Sequence, residues 1–282
     1  MLHMRISFRF SSVLRSALIV LFLVAGIANA ASAQLLISPL RVIFEGRDRA
    51  ATVILRNQGN NAQTYRLEWQ EKAATPDGQY EEVAEPGPTM RIASRHVRFS
   101  PRQVTLGPGE TQQVRLALRL PADLPPGEYR SHLAFVAIDE SARRAARQSA
   151  GGGAAIQVFM NLGFAIPIMI RHGQGAAGAR LGGAEFNTDE LNRLGLKVQL
   201  LQDGNFSAYG RLKVFLRNTT NGPERQIGLL QNVALFPDVQ SRTSTVLLDT
   251  EPFTSGIIRI LYEGADEYAG RIWLDQSFQV GN

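Results

Sequence analysis

Apolar residues occupy every even position between 156 and 170: Ile156, Val158, Met160, Leu162, Phe164, Ile166, Ile168 and Ile170. The positions between them are mixed, running Gln157, Phe159, Asn161, Gly163, Ala165, Pro167 and Met169. A period of two puts the apolar set on one face of a β-strand. At ~3.3 Å per residue the run would span roughly 50 Å. A usual strand is only about 5–6 residues long. The pattern therefore predicts a strand that outruns its own sheet and offers apolar side chains and an unpaired edge to another chain.

The rest of the chain is patterned in the same way, in shorter pieces. Alternating runs at 35–44, 51–56, 64–70, 97–99, 104–106, 111–120 and 129–138 read as strands, with Gly, Pro, Asn and Asp between them. Gln58-Gly59-Asn60-Asn61 and Gly107-Pro108-Gly109-Glu110 read as turns. Residues 73–88, rich in Pro, Gly and acids, read as a surface loop. Residues 141–155 hold Arg143, Arg144, Arg147 and three consecutive glycines, and read as a mobile loop before the long strand. The Gly/Ala segment 173–178 is the best boundary in the chain. Beyond it, runs at 194–201, 210–218, 226–236, 243–248, 257–262 and 271–278 predict a second β unit. The expectation is an all-β chain of two sandwiches, the first over 34–172 and the second over 179–282.

The first 33 residues depart from this pattern. Arg5, Arg9 and Arg15 surround or precede an apolar run at 17–28, and Ala31-Ser32-Ala33 has the small-x-small form of a cleavage site. This predicts a signal peptide over 1–33, a mature chain starting at Gln34, and export to the periplasm. No later stretch reaches the ~18 apolar residues of a membrane span. Removing the signal also changes the charge. It holds three of the 30 basic residues and none of the 25 acidic ones, so the formal charge falls from +5 to +2. That balance gives no footprint for nucleic acid. The chain has no cysteine, which excludes disulfides, thiolate metal sites and thiol catalysis.

Chemistry finds little support. His96, His132 and His172 are scattered, with no i,i+4 pair and no carboxylate at metal-ligand spacing. No G-x-S-x-G elbow or phosphate loop is present. Glu81-Glu82 lies in a polar segment that cannot desolvate it for acid–base work. The reading is a non-enzyme without cofactor or metal. One charged residue stands out: Arg41, inside the apolar stretch Ser38-Pro39-Leu40-Arg41-Val42-Ile43-Phe44. It is either a strand-edge arginine snorkelling to water or an anchor whose guanidinium fork holds a carboxylate.

These residues carry a resemblance. The stretch 38–44 followed by Ala51-Thr52-Val53-Ile54-Leu55-Arg56-Asn57 resembles the opening strands of periplasmic pilus-assembly chaperones of the chaperone–usher type. Residues 101–119 are similar to a later turn and strand of that family, and 166–171 (IPIMIR) to the end of its last first-domain strand. The resemblance covers most of 34–171 and points to a divergent branch. It implies two immunoglobulin-like sandwiches in a boomerang arrangement. It also implies a non-enzymatic periplasmic protein that lends a strand to pilus or fimbrial subunits and passes them to an outer-membrane usher.

Carried over residue by residue, the resemblance places the subunit's carboxylate on Arg41. The donated side chains become Ile156, Val158, Met160, Leu162 and Phe164, leaving 166–170 to the chain's own core. The family's second anchoring cation falls on Pro167, so it is missing; Arg130 and Arg171 are the substitutes weighed. Glu128 and Arg171 match two members of a salt bridge between the domains, with Glu263, Asp266 and Glu267 as candidates for the third. Self-association that caps the donor strand is a further expectation. A rival class is a secreted two-sandwich adhesin or surface-fibre subunit, against which the absence of a free arm between Gln34 and the first strand counts. An exported hydrolase on a β scaffold is the third class, and the sequence offers it no triad.

Overall fold

The computed structural model describes residues 35–138, 163–219 and 222–281. The signal-peptide expectation, the loop at 141–155 and the donor positions Ile156, Val158, Met160 and Leu162 lie outside the described residues.

Among the described residues the first unit has eleven strands, nine in the two sheets of its sandwich and two in a separate hairpin. They are β1 (Leu35–Ser38), β2 (Val42–Phe44), β3 (Ala50–Asn57), β4 (Gln63–Gln70), β5 (Lys72–Ala74), β6 (Tyr80–Glu82), β7 (Val97–Ser100), β8 (Gln103–Leu106), β9 (Thr111–Leu118), β10 (Gly127–Ile138) and β11 (Gly163–His172). One sheet runs β1-β3-β9-β7 and the other β2-β11-β10-β4-β8. Four strands face five in an immunoglobulin-like arrangement, in which the first stretch of chain changes sheet between β1 and β2. A second mark of that fold is local. Tyr129, at the start of β10, donates its hydroxyl to the Pro125 carbonyl four residues upstream at 2.8 Å. The second sandwich holds β12 (Ala179–Thr188), β13 (Leu194–Gln202), β14 (Ala208–Arg217), β15 (Arg225–Leu235), β16 (Ser241–Leu247), β17 (Gly256–Gly264) and β18 (Ile272–Val280). Its sheets run β12-β13-β16 and β15-β14-β17-β18. The chain is all-β, in two immunoglobulin-like sandwiches.

Alternation decides what each sheet buries. Val53 and Leu55 of β3, Val114, Leu116 and Leu118 of β9, and Ile166, Ile168 and Ile170 of β11 enter one core. Leu196, Val198 and Leu200 of β13 enter the other with Leu212, Val214 and Leu216 of β14. β10 differs, because it is buried from Gly127 to Phe135 on both faces. Its odd positions face the core, while Arg130 and His132 lie beneath Tyr80 of β6 and, at Arg130, Phe236. Asn57 organises the turn after β3. Its buried amide donates to the carbonyls of Asn61 and Leu106, and its oxygen accepts from the Gly59 N–H.

Three sequence expectations change. The run at 35–44 is two strands, because the chain leaves one sheet at Ser38 and joins the other at Val42. A cis Ser38–Pro39 bond lies between them. The surface loop at 73–88 contains the β5–β6 hairpin, which folds onto the second sandwich: the Thr243 N–H donates to the Pro76 carbonyl at 2.6 Å. The second sandwich also has a strand, β12, that the pattern did not predict. Gly182 and Gly183 break its alternation, and its register shifts there.

Candidate functional site

The sheet order leaves one edge half covered. β2 pairs with β11 in parallel, and only over Ile168, Met169 and Ile170. Upstream, residues 163–167 pair with β10 on one side, from Val136 to His132, and have no strand on the other among the described residues. Pro167 stands at the limit of this cover, and having no N–H it suits a position where the ladder needs no donor. Burial changes a little further upstream, between Phe164 and Ile166. Ile166, Ile168 and Ile170 are core residues, whereas Phe164 is 39% exposed. Leu40, just before β2, is 71% exposed, so apolar side chains mark the start of the open edge.

Arg41 lies between that edge and the second sandwich. Its guanidinium sits 3.4 Å from the ring centroid of Tyr209, at the start of β14. Its Nη1 donates to Glu267 Oε1 at 2.9 Å. Glu267 belongs to a short 3₁₀ turn, Asp266–Tyr268, between β17 and β18. The Arg41 side chain is 13% exposed and lies between the two sandwiches rather than snorkelling to water. Its Nε is buried and has no hydrogen-bond partner among the described residues.

Neither substitute for the second cation is free. Arg130 donates from both Nη atoms to Asp238, at 2.6 and 3.3 Å, and lies 3.8 Å over the Phe236 ring. Arg171 is held from three sides. Its Nε donates to Glu128 Oε2 at 3.0 Å, Nη1 to Glu45 Oε1 at 2.7 Å, and Nη2 to the Ser207 carbonyl at 2.7 Å. Ser207 answers with its N–H and hydroxyl on the same Glu128 oxygen, at 3.0 and 2.9 Å. Burial alone would pull the Arg171 pKa down; the Glu128 carboxylate and the hydrogen bonds from Glu128 and Glu45 more than offset it, and the pKa is raised.

The three acids weighed for the second sandwich do other things. Glu267 holds Arg41, and Glu263 holds Arg211 and Lys213 at 3.0 and 2.7 Å. Asp266 opens the 3₁₀ turn with a φ of 53°. The contacts of Arg171 with the second sandwich are instead to a neutral serine and to the rings of Phe206 and Tyr268, at 5.1 and 5.2 Å. Sequence reasoning also missed Tyr209, Phe236 and Asp238. Ser207 and Tyr209 follow the Asp203-Gly204-Asn205 turn at the entry to β14, and nothing in their spacing separates them from ordinary strand residues.

Met169 joins the two sandwiches as an apolar pin, packed with Ala234 and Phe236 and flanked by Ile43, Ala74 and Tyr209. Beside it opens a cleft of about 450 Å³, lined in part by Lys72, Met90, Arg91, Arg130 and Asp238. His132, two residues beyond Arg130 in β10, is buried without a hydrogen-bond partner for either ring nitrogen among the described residues. Burial, then the nearby Arg130 and Lys72, lowers its pKa to about 3, so it is neutral at physiological pH. Burial likewise pushes the Tyr268 phenol up to about 12. Among the described residues no group of His, Asp and Glu gathers to hold a metal, and no helix is long and apolar enough to cross a membrane.

No family model matches the chain, and no curated protein sequence matches it. Among solved structures it is similar to the Pseudomonas aeruginosa CupB2 chaperone at 13% identity, over 88% of this chain and 100% of that one, with a TM-score of 0.41. It is similar at 14% identity to the complex of the SafA pilin with the SafB chaperone from Salmonella enterica, over 86% and 95% of the two chains, with a TM-score of 0.44. The CsuC–CsuE chaperone–tip adhesion subunit complex from the archaic chaperone-usher Csu pili of Acinetobacter baumannii is similar at 14% identity, over 88% and 99%, with a TM-score of 0.41.

Proposed function

We propose that this protein is a non-enzymatic periplasmic chaperone that binds pilus or fimbrial subunits by strand donation and hands them to an outer-membrane usher. The observation that carries the reading is the half-covered edge of β11. From Gly163 to Pro167 its outer side has no strand among the described residues, and the sequence continues upstream from this edge with the same apolar period. Ile156, Val158, Met160, Leu162 and Phe164 are the side chains that would enter a subunit's groove. Backbone hydrogen bonds along the edge supply affinity, and the alternate side chains supply specificity. Burying each apolar side chain contributes ~1.5–3 kcal/mol before ordering costs.

Arg41 fits the anchor role because it is a cation fixed in an apolar setting at the end of that edge. A carboxylate placed there meets a guanidinium already held in position by the Tyr209 ring. The single cation distinguishes this site from one with two, since Pro167 brings none and Arg130 and Arg171 are engaged elsewhere. In this reading the Glu128–Arg171 pair serves to fix the two sandwiches against each other.

The test is co-expression of the exported protein with a candidate pilin encoded beside it. Met160→Asp and Leu162→Asp, each placing a charge in an apolar groove, should abolish the complex and lower subunit levels. Arg41→Ala should reduce subunit recovery while leaving the protein folded. Unchanged complex with both aspartate variants would sink strand donation.

A further inference from the structure

We infer that Glu267 is a built-in competitor for Arg41, a carboxylate of the chain's own that occupies the anchor until a subunit's terminal carboxylate displaces it. The inference rests on the strand-donation reading and adds a regulation of the same site.

The two partners of the ion pair are held very differently. Arg41 is fixed: its guanidinium lies 3.4 Å over Tyr209 and its side chain is 13% exposed. Glu267 is 37% exposed and reaches Arg41 from the 3₁₀ turn with one oxygen on one nitrogen. A guanidinium has five N–H donors and prefers a two-point grip on a carboxylate. Here one hydrogen bond from Arg41 goes to Glu267, and the buried Nε has no partner among the described residues. The cation is preorganised and only partly satisfied, while its anion can leave for water.

The neighbouring pair shows the contrast. Arg171 meets Glu128, whose side chain is 2% exposed and bonded again by two donors of Ser207. That carboxylate cannot leave without stranding a buried charge. The same 3₁₀ turn therefore serves two arginines in two ways, with Tyr268 packed near the permanent pair and Glu267 on the exchangeable one. An internal competitor lowers the affinity of every carboxylate equally. A ligand that also pairs along the β11 edge gains enough contact to displace it, whereas a stray carboxylate does not.

The experiment uses the mature full chain and a labelled hexapeptide of alternating valine and serine, with either a free C-terminal carboxylate or a C-terminal amide. Binding is followed by fluorescence anisotropy. Glu267→Gln should bind the free acid about two- to fivefold more tightly than the wild type. The amide should show no such gain, and Arg41→Ala should bind acid and amide alike. Asp238→Asn, which takes the carboxylate from Arg130, should leave the acid–amide difference unchanged. Weaker or equal acid binding by Glu267→Gln would make Glu267 a positioning residue and overturn the inference. An equal gain in Asp238→Asn would also overturn it, because the effect would then be a loosened interface. If the wild type and Glu267→Gln do not tell acid from amide, the anchor reading of Arg41 fails first, and the competitor falls with it.

Discussion

Replacing Arg171 with methionine tests what binds the two sandwiches together. The substitution keeps most of the side-chain volume, so the cavity contribution is small. It removes the hydrogen bonds to Glu128, to Glu45 and to the carbonyl and hydroxyl of Ser207. Glu45 is more than half exposed, so losing it costs about 0–1 kcal/mol. Glu128 decides the magnitude. Its side chain is almost fully buried, and a buried charge that loses its partner costs about 3–5 kcal/mol. The N–H and hydroxyl of Ser207 remain on the carboxylate and keep the loss near the lower end, at ~3 kcal/mol. The assay is urea unfolding followed by tryptophan fluorescence. Trp69 lies in the first sandwich and Trp273 in the second, so Trp69→Phe and Trp273→Phe backgrounds report each one separately. Without the substitution the two probes should give one transition. With Arg171→Met the midpoints should fall and separate. Adding Glu128→Leu should recover much of the loss, because no charge is then stranded. A loss below about 1 kcal/mol, or a double variant that loses the sum of the singles, would refute the argument.

Two further outcomes follow from buried groups. Unfolded His132 takes up a proton near pH 6.5 and the native residue near 3, so the folded state binds fewer protons between these values. Its contribution is complete above about pH 7.5 and falls as the pH drops through that window, by about 2 kcal/mol at pH 5. His132→Phe, which keeps an aromatic edge against Tyr80, should flatten the stability–pH curve; parallel curves for variant and wild type would exclude a neutral buried imidazole. Gly210 lies in β14 where an added Cβ would be driven into the Glu263 carbonyl of β17. Gly210→Ala should therefore cost about 1–3 kcal/mol, read as a melting temperature lower by several degrees. An unchanged melting temperature would show that the two strands can part at no cost.

The strands were legible where side chains alternate and turn residues bound them, as at β3, β9 and β13. Legibility failed where another force set the structure. β12 carries two glycines and a register shift, so its alternation is broken even though β13 pairs along its length. The β5–β6 hairpin is polar and short, and it is ordered by the second sandwich rather than by a core of its own. The break at Ser38 is invisible to periodicity, since both halves of 35–44 are apolar on alternate positions and only the sheet each joins differs.

By itself the sequence determined that the chain is β throughout, which face of most strands turns inward, and that an arginine sits alone in the first apolar stretch. Those are local properties, fixed by side-chain period and turn chemistry within a few residues. The tertiary structure alone decided who meets whom across the interface. Arg41 and Glu267 are 226 positions apart, and three acids lie close together near the end of β17. Charge cannot choose among Glu263, Asp266 and Glu267; the path of the 3₁₀ turn does. Arg171 makes the same point from the other side, because its hydrogen bond in the second sandwich goes to a serine, which no charge pattern would single out. Ion pairing is long-range and degenerate in sequence, and it becomes specific only when packing has set the distances.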